Sequence, residues 1–221
     1  RNNQENPQAR LSIRALINAL RRERVGPLLH VRFFYGLAFA TFQTIFPLFA
    51  QYQLDLDARQ TGYILTYVGV LAALVQGVAI GVISKRTTDS RLILISTAIL
   101  TASLLAWSFT PNVAILLVIL VPIAFAGGIL NTILNSALTK AVYPEEVGGT
   151  LGIATSLESL TRVISPGLGG FLLGSIGNWA PGVAASVIMV WVVSFVYRRI
   201  IVNPDPPLPG KPQPAQSLGS N

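Results

Sequence analysis

The chain has 221 residues, 52% of them hydrophobic and only 11% charged; an ordinary soluble domain is about 25% charged, so there is too little polar surface to cover a globule in water. Its formal charge of +7 invites a nucleic-acid reading, but the basic residues are spread over the segments between apolar runs, which argues against nucleic acid. Cysteine is absent, which excludes disulfides, thiolate metal sites and a cysteine nucleophile.

Residue 1 is Arg, and no short apolar segment with a small-residue cleavage site follows it, so no signal peptide is expected and the chain reads as a piece of something longer. Within the first 27 residues, Ile13, Leu16, Ile17 and Leu20 share a helix face while Arg10, Arg14 and Arg21 fall elsewhere around it. Such a basic amphipathic segment can lie on an anionic leaflet; a solvated linker fits the same pattern. Six apolar runs follow, at about 28–52, 61–84, 92–109, 113–138, 148–176 and 181–197. Most approach the ~20 residues a helix needs to cross ~30 Å of hydrocarbon. Each exceeds the 9–11 residues of a barrel strand, and none alternates apolar with polar residues. The expected fold is therefore an all-α bundle of six transmembrane helices, 28–199. The tail 200–221 is rich in proline and is expected to be disordered.

Lysine and arginine set the orientation. If the amino-terminal segment is cytoplasmic, alternation places thirteen of the sixteen basic residues on its side and only Arg59 opposite. Arg32 sits just inside the first run, and Arg162 lies within the fifth. By the positive-inside rule both termini are cytoplasmic, in a plasma or inner membrane.

Ionisable groups at membrane depth are expensive and mark function. Glu158 and Arg162 of the fifth run are four residues apart, on one helix face with the acid N-terminal. They are expected to line a water-filled path; mutual neutralisation inside the bundle is the plainer alternative. Of the two, Arg162 is taken as a fixed positive charge at the cavity wall and Glu158 as the group that holds it. Pro166 cannot bond the carbonyl of Arg162, so it is a candidate hinge, as are Pro47 in the first run and Pro122 in the fourth. The amides are uneven: Gln43 lies in the first run, Gln76 in the second, Asn131 and Asn135 in the fourth. Amides facing lipid would be unsatisfied, so the first, second, fourth and fifth helices should face one another or water, with the third and sixth outside. Gly77 and Gly81 form a GxxxG pair suited to close helix packing.

The stretches QTGYILTYVGVLAALVQGVAIGVISKR and EEVGGTLGIATSLESLTRVISPGLGGFLL resemble the second half of major facilitator superfamily transporters, in particular the drug:proton antiporter and tetracycline-efflux-like branches. In that family a Gly-x-x-x-Asp-Arg/Lys-x-Gly-Arg/Lys loop joins the second and third helices of each half. Here Gly81 and Arg86 match, Lys85 replaces the acid and Arg91 is displaced. The resemblance implies a central cavity lined by helices one, two, four and five, and a partner half of six helices or a second copy of this one.

The leading functional expectation is thus half of a proton-coupled efflux carrier for a small molecule, with the lipid bilayer, substrate and proton as its partners. A membrane scaffold that kept the fold without transport is the alternative. Enzymatic activity is not expected: there is one His, no Gly-x-Ser-x-Gly and no metal-ligand cluster, and no cofactor is called for.

Overall fold

The computed structural model describes residues 18–22, 24–75, 77 and 88–202. The amphipathic segment before residue 18, Gln76, the loop residues Gly81 and Arg86, and the tail from residue 203 lie outside the described residues. Six long helices follow in order: α1 (Val25–Leu54), α2 (Ala58–Leu74), α3 (Asp89–Ser108), α4 (Val113–Lys140), α5 (Val147–Ser175) and α6 (Ala180–Val196), which runs on as a π-helical turn, Tyr197–Val202. There is no strand among the described residues.

Local chemistry fixes the helix ends. Proline at position 27 suits the first turn of α1, and Asp55, left-handed at φ 53°, ends it. Asp57 then opens α2 through a capping box: its Oδ1 accepts from the Gln60 amide at 2.7 Å, and the Gln60 side chain accepts from the Asp57 amide at 3.0 Å. Asn112 caps α4 by accepting from Ile115 N at 2.9 Å. A single 3-10 turn, Pro144–Glu146, leads into α5, and Gly177 at φ 136° turns the chain from α5 into α6.

Helices α1, α3, α4 and the α6 segment Ala180–Val202 are each long and apolar enough to cross a membrane. Helix α5 is as long but carries Glu158, Arg162 and many Gly, Ser and Thr residues; α2 is described over 17 residues only. Hydroxyls on these helices are masked locally. Thr97, Ser103, Ser108, Thr155 and Ser159 each donate to the carbonyl one turn back, which satisfies a polar group without a neighbouring helix.

Two seams hold the bundle. In the first, α1 meets α5 through small residues: a Cβ at Gly36 would stand 3.3 Å from Thr161 Oγ1, and one at Gly169 would collide with Ile45. Ser165 donates across this seam to the Leu37 carbonyl at 3.4 Å. The second seam joins α3 to α6 and α1 through large apolar side chains. Leu100, Leu104, Trp107, Met189 and Val192 are fully buried, and Trp107 lies against Phe42 and Phe49 with ring centroids 4.8 and 4.7 Å away. Dispersion and shape, rather than water exclusion, bind helices to one another in lipid, so close seams of this kind carry the stability.

At the end of the bundle where both described termini lie, two ion pairs tie segments together. Lys140 at the end of α4 meets Asp89 of α3 at 2.6 Å, and Arg22 meets Glu146 at 2.7 Å. The hydrogen bond from Arg22 holds the exposed Glu146 carboxyl below its ordinary range.

Candidate functional site

Between α1, α2, α4 and α5 lies a cavity of about 250 Å³. Its lining includes Arg32, Tyr35, Phe39 and Gln43 from α1, Val68 and Ala72 from α2, Gly127, Gly128 and Asn131 from α4, and Glu158, Thr161 and Arg162 from α5. The cavity exists because small residues recur in its wall. A Cβ at Gly127 would come within 2.9 Å of the Phe39 ring, and one at Gly128 within 2.9 Å of Val75 Cγ1.

A three-membered ion network spans it. Glu158 accepts from both sides: its Oε2 from Arg32 Nη2 at 2.7 Å, and its Oε1 from Arg162 Nη2 at 2.8 Å. Arg32 Nη1 also donates to Asn131 Oδ1 at 2.5 Å and to the Asn131 carbonyl at 3.4 Å. Because guanidinium only donates, the Asn131 atom facing it is the oxygen, which leaves the amide nitrogen as a donor in the wall. Next to the network, Tyr35 Oη donates to the Gly127 carbonyl at 2.9 Å, tying α1 to α4 where the glycine pair sits.

The sequence sets Arg32 just inside the first run and pairs Glu158 with Arg162. The structure has that pair and adds Arg32 as the second, more deeply buried partner of the carboxylate. Helix α1 begins at Val25, so Arg32 lies about 10 Å along it at 1.5 Å per residue, and its side chain is 7% exposed against 71% for Arg162. The cation that Glu158 keeps from being buried alone is Arg32. A signal was present in the sequence: Arg32, Tyr35, Gly36, Phe39 and Gln43 follow one another at i, i+3, i+4, i+7 and i+11, one helix face with polar residues at both ends.

The other anticipated positions distribute as follows. Gln43, Asn131, Glu158 and Arg162 are brought to the cavity. Asn135, one turn beyond Asn131, is half-buried on α4 and lies outside the lining. Pro47, Pro122 and Pro166 each stand inside a helix that continues through them. No group of three or more His, Cys, Asp or Glu side chains placed to hold a metal occurs among the described residues.

The architecture has known counterparts, and the sequence model of the Major Facilitator Superfamily matches residues 28–220. The chain belongs to the Major Facilitator Superfamily. It is 31% identical to rat solute carrier family 22 member 18 over 187 residues, covering 85% of this chain and 45% of that protein. It is 30% identical to the tetracycline resistance protein, class H, of Pasteurella multocida over 62% of this chain and 34% of that one. Among solved structures, the human organic anion transporter MFSD10 superposes with a TM-score of 0.71 at 18% identity, over 77% of this chain and 40% of the other. The chain thus spans somewhat under half the length of the curated relatives it matches, and its six helices form one half of the superfamily fold.

Proposed function

We propose that this six-helix unit is one wall of a secondary transporter that moves a small molecule by alternating access, two bundles rocking about a shared midplane site. The observation that carries this reading is the Arg32–Glu158–Arg162 network set in a cavity lined by helices α1, α2, α4 and α5. One arginine of the network is buried and the other, Arg162, is largely exposed in the cavity wall. Gln43 and Asn131 extend the polar wall, and Gln76, Asn135 and the prolines at 47, 122 and 166 complete the set of positions we assign to cavity and hinges.

Both termini face the cytoplasm of a plasma or inner membrane in this reading, and a partner half of six helices, or a second copy, closes the cavity. Export is supported by the likeness to a tetracycline resistance protein, and coupling to proton entry by the presence of a carboxylate in the network, the one acidic group among the described cavity-lining residues.

The test is flux in liposomes. The complete transporter is expected to move substrate down an imposed proton gradient, and the six-helix unit alone is expected to move none. In the complete protein Arg162→Ala abolishes or redirects transport. Flux by neither form, with both correctly folded, refutes transport in favour of a scaffold; undiminished flux by Arg162→Ala removes the residue from the site.

A further inference from the structure

The two arginines of the cavity are not equivalent, and their difference points to a class of substrate. Arg32 is spent: its side chain is 7% exposed, one terminal nitrogen is bound to Glu158 and the other to Asn131. Among the described residues Arg162 has a single partner, one oxygen of Glu158, and its side chain is 71% exposed. A guanidinium carries five N–H donors, so within this half most of the binding capacity of Arg162 is unused. Two guanidiniums and one carboxylate give the ionisable groups of the described lining of this half a sum of +1, with Tyr35 neutral. Beside this charged end, Phe39, Ala40, Val68, Ala72 and Ala124 form an apolar wall.

Resting on the transport reading above, we propose that the substrate is an organic monoanion with an apolar body, and that its carboxylate or sulfonate takes the place of Glu158 Oε1 as the ligand of Arg162. The exchange is balanced. Glu158 remains bound to Arg32 through Oε2, so no buried cation is left bare, and the substrate neutralises Arg162; the loaded wall of this half sums to zero. The planar fork of Arg162 suits a two-oxygen anion, the free amide nitrogen of Asn131 is a further donor in the same wall, and the body of the substrate lies along the apolar side. A cation entering the same space would meet a wall with two guanidiniums and compete with both of them for the one carboxylate. A neutral molecule would gain nothing from Arg162.

Three probes that share one ring system separate these cases: naphthoate, naphthylmethylammonium and naphthamide. Each is assayed for binding by thermal stabilisation of the complete transporter in detergent, and for uptake in liposomes. Naphthoate is expected to stabilise the protein saturably while the other two do not. Arg162→Gln is expected to weaken naphthoate binding about tenfold or more, as loss of a charge-assisted pair does, with Arg162→Lys restoring part of it. Arg162 is exposed, so both variants are expected to melt like the parent without ligand. Equal or better binding of the ammonium or the amide, binding of none of the three, or unchanged naphthoate binding by Arg162→Gln overturns the proposal. Naphthoate that binds through Arg162 yet never crosses the bilayer upholds the anion site and counts against transport, whereas uptake of the ammonium in place of naphthoate keeps transport and overturns the anion site.

Discussion

Helices α3 and α6 and helices α2 and α5 differ in how much of themselves they bury within this half. Nine of the 20 residues of α3 and eight of the 17 of α6 are buried inside this half, whereas α2 buries only Thr61 and Ile64, and α5 six of its 29 residues. The six on α5, Thr150, Ala154, Leu157, Thr161, Ser165 and Gly169, make one narrow stripe against α1. The first pair has done much of its packing within the half. The second pair leaves most of its surface uncovered within this half, and α5 carries Glu158 and Arg162. This half of the fold is therefore well packed on one side and open on the other, and the Arg32–Glu158–Arg162 network lies toward the open side.

If the contrast is sound, truncation on the well-packed side costs most. Trp107 is fully buried between Phe42 and Phe49, and Trp107→Ala is expected to lower stability in detergent by about 3–5 kcal/mol. Its Nε1 has no hydrogen-bond partner among the described residues, so Trp107→Phe, which keeps a ring and removes the orphan donor, should cost under about 1.5 kcal/mol. Thermal unfolding of the two variants gives the difference.

The next effect belongs to the network and is unequal. Glu158→Gln strands the buried Arg32 and is expected to cost about 2–3 kcal/mol, below the ~3–5 kcal/mol of a fully buried pair because the carboxylate is 34% exposed. Arg32→Gln leaves Glu158 with Arg162 and should cost only about 1 kcal/mol. Equal losses in the two variants would mean that Arg32 does not depend on Glu158.

On the open side, Val163 and Val70, 77% and 55% exposed, should tolerate alanine within about 0.5 kcal/mol in the six-helix unit; larger losses there would erase the contrast between the two regions. The smallest effect is at the terminal end. Because Arg22 depresses the Glu146 carboxyl, the pair contributes at pH values above the ordinary carboxylate range and is lost as pH falls through the depressed value. Arg22→Ala should return the Glu146 titration, followed by carbon NMR of labelled glutamate, upward toward that ordinary range.

The bundle was legible because hydrocarbon imposes length. A run such as 113–138, with only Thr110, Pro111 and Asn112 separating it from the run before, admits few readings besides two antiparallel helices. The sidedness of the cavity was legible too, since Gln43, Asn131 and Glu158 each need a partner that lipid does not offer. Arg32 was harder. Near a helix end, length and composition are equally satisfied by a side chain that reaches water and by one that turns inward to a carboxylate 126 positions away. Which of these occurs depends on how close α5 comes, and that closeness rests on Gly36, Thr161, Ser165 and Gly169, whose small size reads in one dimension as mere permissiveness.

That α1–α5 seam has a mechanical consequence. Two helices of 30 and 29 residues are locked almost backbone to backbone, and the Arg32–Glu158 bond crosses between them. Near the far end, Gln53 just inside the end of α1 accepts from Asn178, just beyond α5, at 3.3 Å. The pair forms a close-packed strut about 45 Å long at 1.5 Å per residue, so the Arg32–Glu158 bond is held in place by two interlocked backbones and not by the two side chains alone.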